Sequence, residues 1–467
     1  MFENILYALP EITILIGMSL LLLNALFVEQ NSKLPFKITK TIAMISAFFS
    51  VLFYNKSFLS PYLISSSYTA LSFTLTTFLA YIWLTLSSKS FVFLKEVSQT
   101  KFCILALGIL FFISIFIKSA HFAVLALSFV GLVVFQVLLF RQSKQSEELY
   151  HTGTRYAVVA GFLTCLLLTA TYFLRSDGLF YQNAAEFLVT SSPLTKMVVI
   201  ISIFCVFLFL IGAAPFHFWL ADSISPLILP VATYFSVVPL LAFWSVFFKL
   251  NVEFFSLSTD NLNKLYFGFG ILSVICGSLG ANTSRFLRKI FAFVGLYHTG
   301  VLLLLMGSLT MEALVSSYIY VELYLILMLG IYVCFYTFKI NGNYASTIND
   351  LEGMVSMRPY ISAAFLLLMI SLGAVPPFIG FIMQYLALSS VTDNAFELYL
   401  ILFGALGLLP VYFRTIRSIY MLPRKNSFDR VDTASYVYLL IYSIFVFMLM
   451  FKPKLLLLQT DILFAMG

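Results

Sequence analysis

Long unbroken apolar runs, rather than alternating positions, organise this chain: Ile12 to Phe27, Phe102 to Ile117 and Tyr436 to Phe451 are examples. A bilayer core takes roughly 20 apolar residues per helix. In lipid each segment must satisfy its own backbone polar groups, so such runs read as helices. A transmembrane barrel would need short alternating strands, and these blocks are continuous. The pattern predicts an all-α integral membrane protein of about fourteen spans. They lie near residues 5–27, 39–55, 69–87, 102–117, 121–140, 156–174, 196–220, 230–249, 265–281, 289–307, 313–338, 360–387, 396–420 and 434–457. The longest polar connections fall near 141–155, 175–195, 339–359 and 421–433, and no soluble domain fits between the spans.

Two spans carry proline where a helix should run on. The seventh reads Gly212-Ala213-Ala214-Pro215-Phe216-His217, and the twelfth reads Gly373-Ala374-Val375-Pro376-Pro377-Phe378. Proline removes a backbone donor and clashes with the preceding turn, so Pro215, Pro376 and Pro377 are expected to break their helices. Broken spans leave free carbonyls at membrane depth, tolerable only inside protein or beside a water cavity. Each break lies in the fourth span of a five-span block, spans four to eight and nine to thirteen, roughly 110 residues after its block begins. An odd number of spans per block makes the second copy inverted, an architecture of secondary transporters. The predicted organisation is an N-terminal three-helix segment (1–101), a first five-helix repeat (102–250), a second, inverted repeat (264–421) and a C-terminal helix (434–467). Two ordinary proline kinks are the plainer alternative.

Composition agrees with the pattern: hydrophobic residues make up 61% and charged residues 10%, where a soluble domain carries about 25% charged. Phe is abundant (52) and Gly sparse (22), which reads as an AT-rich genome, organellar or bacterial. Met1 to Pro10 lacks a basic n-region, so no cleaved leader is expected. Cys103, Cys165, Cys205, Cys276 and Cys334 sit singly inside apolar blocks and read as small buried hydrophobes. No metal site is expected. The net charge of +7 is scattered among loops and does not suggest nucleic acid. Counted by loop, the odd connections hold 19 Lys and Arg and the even ones with the C-terminus hold 8. That bias places the odd loops on the inner side and both termini on the outer side.

The residues around the breaks resemble a known family. Ala214-Pro215-Phe216-His217-Phe218-Trp219, with Asp222 and Pro230-Val231, looks like the "PFHxW-PD…PV" signature of antiporter-like membrane-arm subunits of respiratory complex I. Arg288-Lys289 followed by Leu296-Tyr297-His298-Thr299-Gly300 is similar to that family's "KRLLAYSSIAHMG". Ser371 to Phe381 looks like "SLAGIPPLAGF", and Asp350-Leu351-Glu352-Gly353 resembles the "DLxG" ahead of it. Leu9-Pro10-Glu11 and Ser236-Val237-Val238-Pro239 are similar to the subunit 2 type, called N in bacteria. The resemblance implies a place in the proton-translocating module of NADH:ubiquinone oxidoreductase. Redox chemistry would belong to other subunits, and this chain would hold no catalytic residue and no redox cofactor. The implied neighbours are subunits 4L and 4, with a bound phospholipid such as cardiolipin. The implied location is the mitochondrial inner membrane or, alternatively, a bacterial plasma membrane.

The family's proton route uses an ionisable residue on each of four helices. Carried over by motif, those positions are Gly131, Leu210, Leu240 and Gln384 here. Leucine cannot hold a proton, and glutamine hydrogen-bonds without titrating. The paired carboxylate and lysine that would shift each other's pKa are absent from those places. The candidate substitutes for a relay are His217, His298 and Glu322, each with a plainer reading as a buried, hydrogen-bonded group. Lys118, His121, Lys249 and Lys289, near span ends, read as snorkelling to the membrane surface. Three functions compete. One is a largely structural complex I subunit, and another a proton carrier with substitute residues. The third is a stand-alone cation/proton antiporter subunit, which the missing lysines disfavour. An unrelated transporter with broken helices would not carry these ordered motifs.

Overall fold

The computed structural model describes residues 6–27, 34–53, 56–58, 62–91, 98–142, 147–174, 180–255, 259–391, 395–431 and 433–451. Residues 452–467 of the expected C-terminal segment lie outside these stretches, as do Lys33, Lys95, Lys144, Arg175, Lys452 and Lys454 of the charge count. Within them the chain is helical almost throughout, and twelve helices are long and apolar enough to cross a membrane. Shorter apolar helices span Pro359–Leu372, Ile379–Ser390 and Leu439–Leu449. The first two are the halves of the expected twelfth span, and the third lies in the fourteenth.

In chain order the first helices are α1 (Leu9–Phe27), α2 (Leu34–Leu52), α3 (Ser67–Ser90), α4 (Gln99–Lys118), α5 (Phe122–Arg141) and α6 (Glu147–Phe173). Then come α7 (Tyr181–Thr190), α8 (Pro193–Leu210), α9 (Phe218–Ile224), α10 (Leu229–Glu253), α11 (Thr259–Thr283) and α12 (Leu287–Gly307). The rest are α13 (Met311–Thr337), α14 (Pro359–Leu372), α15 (Ile379–Ser390), α16 (Ala395–Tyr420) and α17 (Thr433–Phe451). Two connections fold further than the sequence suggested. Strands Lys56–Phe58 and Leu63–Ser65 pair antiparallel, as do Lys339–Ile340 and Asn343–Tyr344. Outside helices the backbone groups still need partners, and a hairpin supplies them.

The chain packs into two compact units. The first comprises the residues up to Ile211 and Pro226–Asp260, and the second Gly212–Ser225 and the residues from Asn261 onward. In the first unit α10 is buried along its whole spanning stretch and packs on α3, α4, α7 and α8. Trp83 Nε1 donates to the Pro230 carbonyl (2.7 Å) and Tyr68 Oη to the Ser245 carbonyl (2.8 Å), so two α3 rings pin α10. In the second unit α12 and α13 are the buried helices, 94% of each spanning stretch being enclosed. Here α13 packs on α12, α14, α15 and α17.

Both breaks have the same local form. Helix α8 ends at Leu210 and α9 begins at Phe218; α14 ends at Leu372 and α15 begins at Ile379. Each break contains a cis X–Pro bond, Ala214-Pro215 and Pro376-Pro377. Three residues before each cis proline the backbone turns left-handed, at Gly212 (φ +69°) and Ala374 (φ +57°). Gly tolerates that region, whereas Ala374 sits there against its Cβ, at a cost of about 1 kcal/mol. Freed backbone groups find side-chain partners: Ala214 N donates to Ser273 Oγ (2.9 Å), and Gly380 N donates to Ser371 Oγ (3.1 Å).

Candidate functional site

In the first unit the three positions expected from the resemblance, Gly131, Leu210 and Leu240, are apolar and packed. Gly131 lies on α5, where an added Cβ would meet the Phe112 ring, so a side chain there would have to displace that ring. Leu210 closes α8 and Leu240 follows Pro239 in α10, both buried. The polar group inside this unit stands elsewhere. Gln136, on α5, donates through Nε2 to Tyr234 Oη (3.1 Å) and accepts at Oε1 from Tyr156 Oη (2.5 Å). All three side chains are buried, and none ionises near neutral pH. A glutamine within the apolar run Phe122–Arg141 was the available signal for this network.

A charged layer lies at one end of the same unit, and it corrects the snorkelling reading of Lys118 and Lys249. Each is only 2% exposed. Lys118 Nζ meets Glu11 Oε1 at 2.6 Å. Lys249 Nζ donates to the Ser119 carbonyl (2.6 Å) and lies over the Tyr181 ring (5.4 Å). Ser119 Oγ in turn bonds Tyr181 Oη (2.8 Å). Glu11 stands in the first turn of α1 and Lys118 in the last turn of α4, so each charge also faces the helix end that favours its sign. His121 is buried too, its Nδ1 accepting from Ala123 N (3.2 Å) as the cap of α5. Lys289, in the second unit, pairs with Asp222 at 2.7 Å.

In the second unit Gln384, the fourth family position, lies at the centre of a buried aromatic network. Its Nε2 donates to Tyr297 Oη (3.0 Å), with Tyr320 Oη at 3.5 Å. Tyr297 Oη donates onward to the Ile401 carbonyl (3.1 Å). His298 Nδ1 bonds Tyr320 Oη (2.8 Å), and its Nε2 is buried without a partner. The structure thus joins His298 and Gln384 through Tyr320. His217 stands apart from that chain. Glu322 is buried on α13, two residues past Tyr320 and so nearly opposite it around the helix. His217 caps the start of α9 with its Nδ1 buried and unpartnered, its ring 6.3 Å from that of Phe293. Phe293 precedes His298 by five residues, about 7.5 Å along α12.

The loop between α13 and α14 carries the "DLxG" residues. Asp350 Oδ2 accepts from Ser346 N (2.8 Å), Thr347 N (2.8 Å) and Ser346 Oγ (3.2 Å). Burial raises the Asp350 carboxyl, but these donors outweigh it and hold it below its ordinary 3.8. A lowered folded-state value means the contribution is present above the ordinary value and fades as pH falls through the folded one. Protection of the Ser346 and Thr347 amides from exchange, relative to their intrinsic rates, should therefore hold from neutrality down to about pH 4 and be lost below it. Asp350→Asn should speed that exchange at neutral pH by about fivefold, the usual worth of such a cap. Hydrogen–deuterium exchange of peptides covering 346–350 measures both.

Apolar spans, two proline-bearing breaks of one form and a buried polar chain beside the second define a multi-pass membrane protein of the antiporter-like class. The chain belongs to the NADH:quinone oxidoreductase/Mrp antiporter transmembrane family, whose model matches residues 119–409. NADH-quinone oxidoreductase subunit N of Pelagibacter ubique is 27% identical over 292 residues, 62% of this chain and 61% of that one. The first curated relatives are matched over about three fifths of their own length. A chain of respiratory complex I from Thermus thermophilus has the same fold, with TM-score 0.81, 15% identity and coverage of 96% of this chain and 98% of that one. A chain of the Mrp complex from Dietzia sp. superposes equally well, with TM-score 0.81, 14% identity and coverage of 99% and 96%.

Proposed function

We propose that this protein is an antiporter-like membrane-arm subunit of an NADH:quinone oxidoreductase that holds the arm together while protons cross in other subunits. The observation that carries this is the lack of a titratable side chain at the four positions that the resemblance assigns to the proton route. Gly131, Leu210 and Leu240 offer no proton-binding group, and Gln384 is engaged with Tyr297. A mid-membrane charge costs roughly 2.5–3.5 kcal/mol on insertion scales and is kept where ions move; here that cost has been removed at all four positions. The subunit N relative supports membership of the oxidoreductase over a stand-alone antiporter, and as a bacterial protein it supports a plasma-membrane location. Membrane-arm neighbours of the subunit 4L and 4 type, and outward-facing termini, belong to the same reading.

One observation favours a second reading. The side chains of His298, Tyr320, Gln384 and Tyr297 are linked by hydrogen bonds within the second unit, and His298 is the member whose ordinary pKa lies near neutrality. They could pass a proton if His298 cycled. Affinity purification through a tag on this chain should bring down NADH-oxidising activity; its absence would favour the stand-alone antiporter instead. In proteoliposomes the purified complex should pump the same number of protons per NADH with Gln384→Leu or His298→Gln as without. A lower ratio, with NADH oxidation and assembly intact, would replace the structural reading by the relay.

A further inference from the structure

A cavity of about 490 Å3 opens in the second unit, lined by Arg285, Asn349, Arg414, Arg417, Ser418 and Leu422 among others. It lies where membrane helices end: Arg285 follows α11, and Arg414 and Arg417 stand in the last two turns of α16. Its walls are tied together. Ile348 N donates to the Arg285 carbonyl (3.2 Å), Leu287 N to the Ser346 carbonyl (2.8 Å) and Ser418 Oγ to the Ile348 carbonyl (2.9 Å). Arg414 is fixed by its two terminal nitrogens, which donate to the Asn282 and Ser284 carbonyls (3.0 and 2.6 Å). Its Nε stays buried with no partner. Among the described residues none of the three guanidinium groups is ion-paired. Asp350, the acid next to Asn349, commits its Oδ2 to Ser346 and Thr347.

Three permanent cations around one hollow repel each other unless an anion sits between them. Guanidinium donors match phosphate oxygens in fork geometry, and an amide and a hydroxyl in the same wall add neutral donors. Along the same helix ends Phe286, Phe413 and Met421 are 48%, 66% and 76% exposed, an apolar surface suited to acyl chains. We propose that this cavity binds a phosphate group, carried by an acidic phospholipid or free in solution. The site is independent of whether the subunit carries protons.

The test uses the full chain, purified with its partners in neutral detergent and stripped of lipid. Binding of phosphatidylglycerol, phosphatidylcholine and inorganic phosphate is measured by native mass spectrometry and by competition. Phosphatidylglycerol binding that phosphate cannot displace identifies the lipid headgroup; phosphate binding without lipid preference identifies the soluble anion. In either case Arg285→Gln with Arg417→Gln should weaken binding about thirtyfold, at about 1 kcal/mol per arginine. Both substitutions leave the Arg414 bonds in place. Arg417→Gln alone, a change at an exposed position, should weaken binding about fivefold, and Arg417→Lys should restore most of it. Equal binding by the variants and the parent overturns the proposal, as does equal binding of the two lipids with no binding of phosphate.

Discussion

Lys118→Met should lower stability by about 3 kcal/mol, the usual cost of leaving one member of a buried ion pair behind. The partner left is Glu11, whose side chain is only 13% exposed. Removing both charges together, Glu11→Gln with Lys118→Met, should recover most of the loss, because neither side then holds an uncompensated charge. The midpoint of thermal aggregation, followed by size-exclusion chromatography of the detergent-solubilised protein, reads all three variants. If Lys118 reached the membrane surface instead, the single change would move that midpoint by little and the double change would bring no recovery.

The second large effect is expected at Gly380. A Cβ there would fall on the Ser371 carbonyl, a backbone atom at the end of α14 that cannot move aside. The Gly380 amide also donates to Ser371 Oγ, so the two half-helices meet at this pair (3.1 Å). Gly380→Ala should cost at least about 3 kcal/mol, as overpacking against backbone does, and reduce the amount of folded protein recovered. Gly268→Ala is the matched control. It lies within α11 with nothing within 4 Å of an added Cβ, and alanine is the better helix former by about 1 kcal/mol. Equal behaviour of the two variants would show that the crossing at Gly380 yields.

The spans and their breaks were legible because lipid enforces long apolar runs and proline interrupts them. All of the expected spans have a helix at their place, including both that the prolines divide. The motif Ser371 to Phe381 also has a direct physical meaning, since its serine and its glycine are the two residues that touch. The interior charges were not legible. Lysine at a helix end looks the same in sequence whether it reaches for water or for a carboxylate, and the partner of Lys118 is 107 residues away. The same holds for Gln384. A glutamine inside an apolar run could be read from the sequence, but the two tyrosines it bonds come from α12 and α13. Pairings across the fold carry no local periodicity, so neither run length nor spacing reports them. The relay candidates His217, His298 and Glu322 came from a rule about polar groups in lipid, which says that each needs a partner but not which one.

The buried helices differ in when their partners are made. In the first unit α10 packs on α3, α4, α7 and α8, all synthesised before it. Its partners Trp83 and Tyr68 therefore precede it in synthesis. In the second unit α13 is made before α14, α15 and α17, three of the helices it packs on. Until Gln384 arrives, Tyr320 has only His298 to share its hydroxyl with, and α13 faces lipid on sides that will later be covered. The first half can therefore close while translation continues, whereas the second must wait for its own C-terminal end, and a stalled or shortened chain would leave a half-built polar core open to the membrane's quality control.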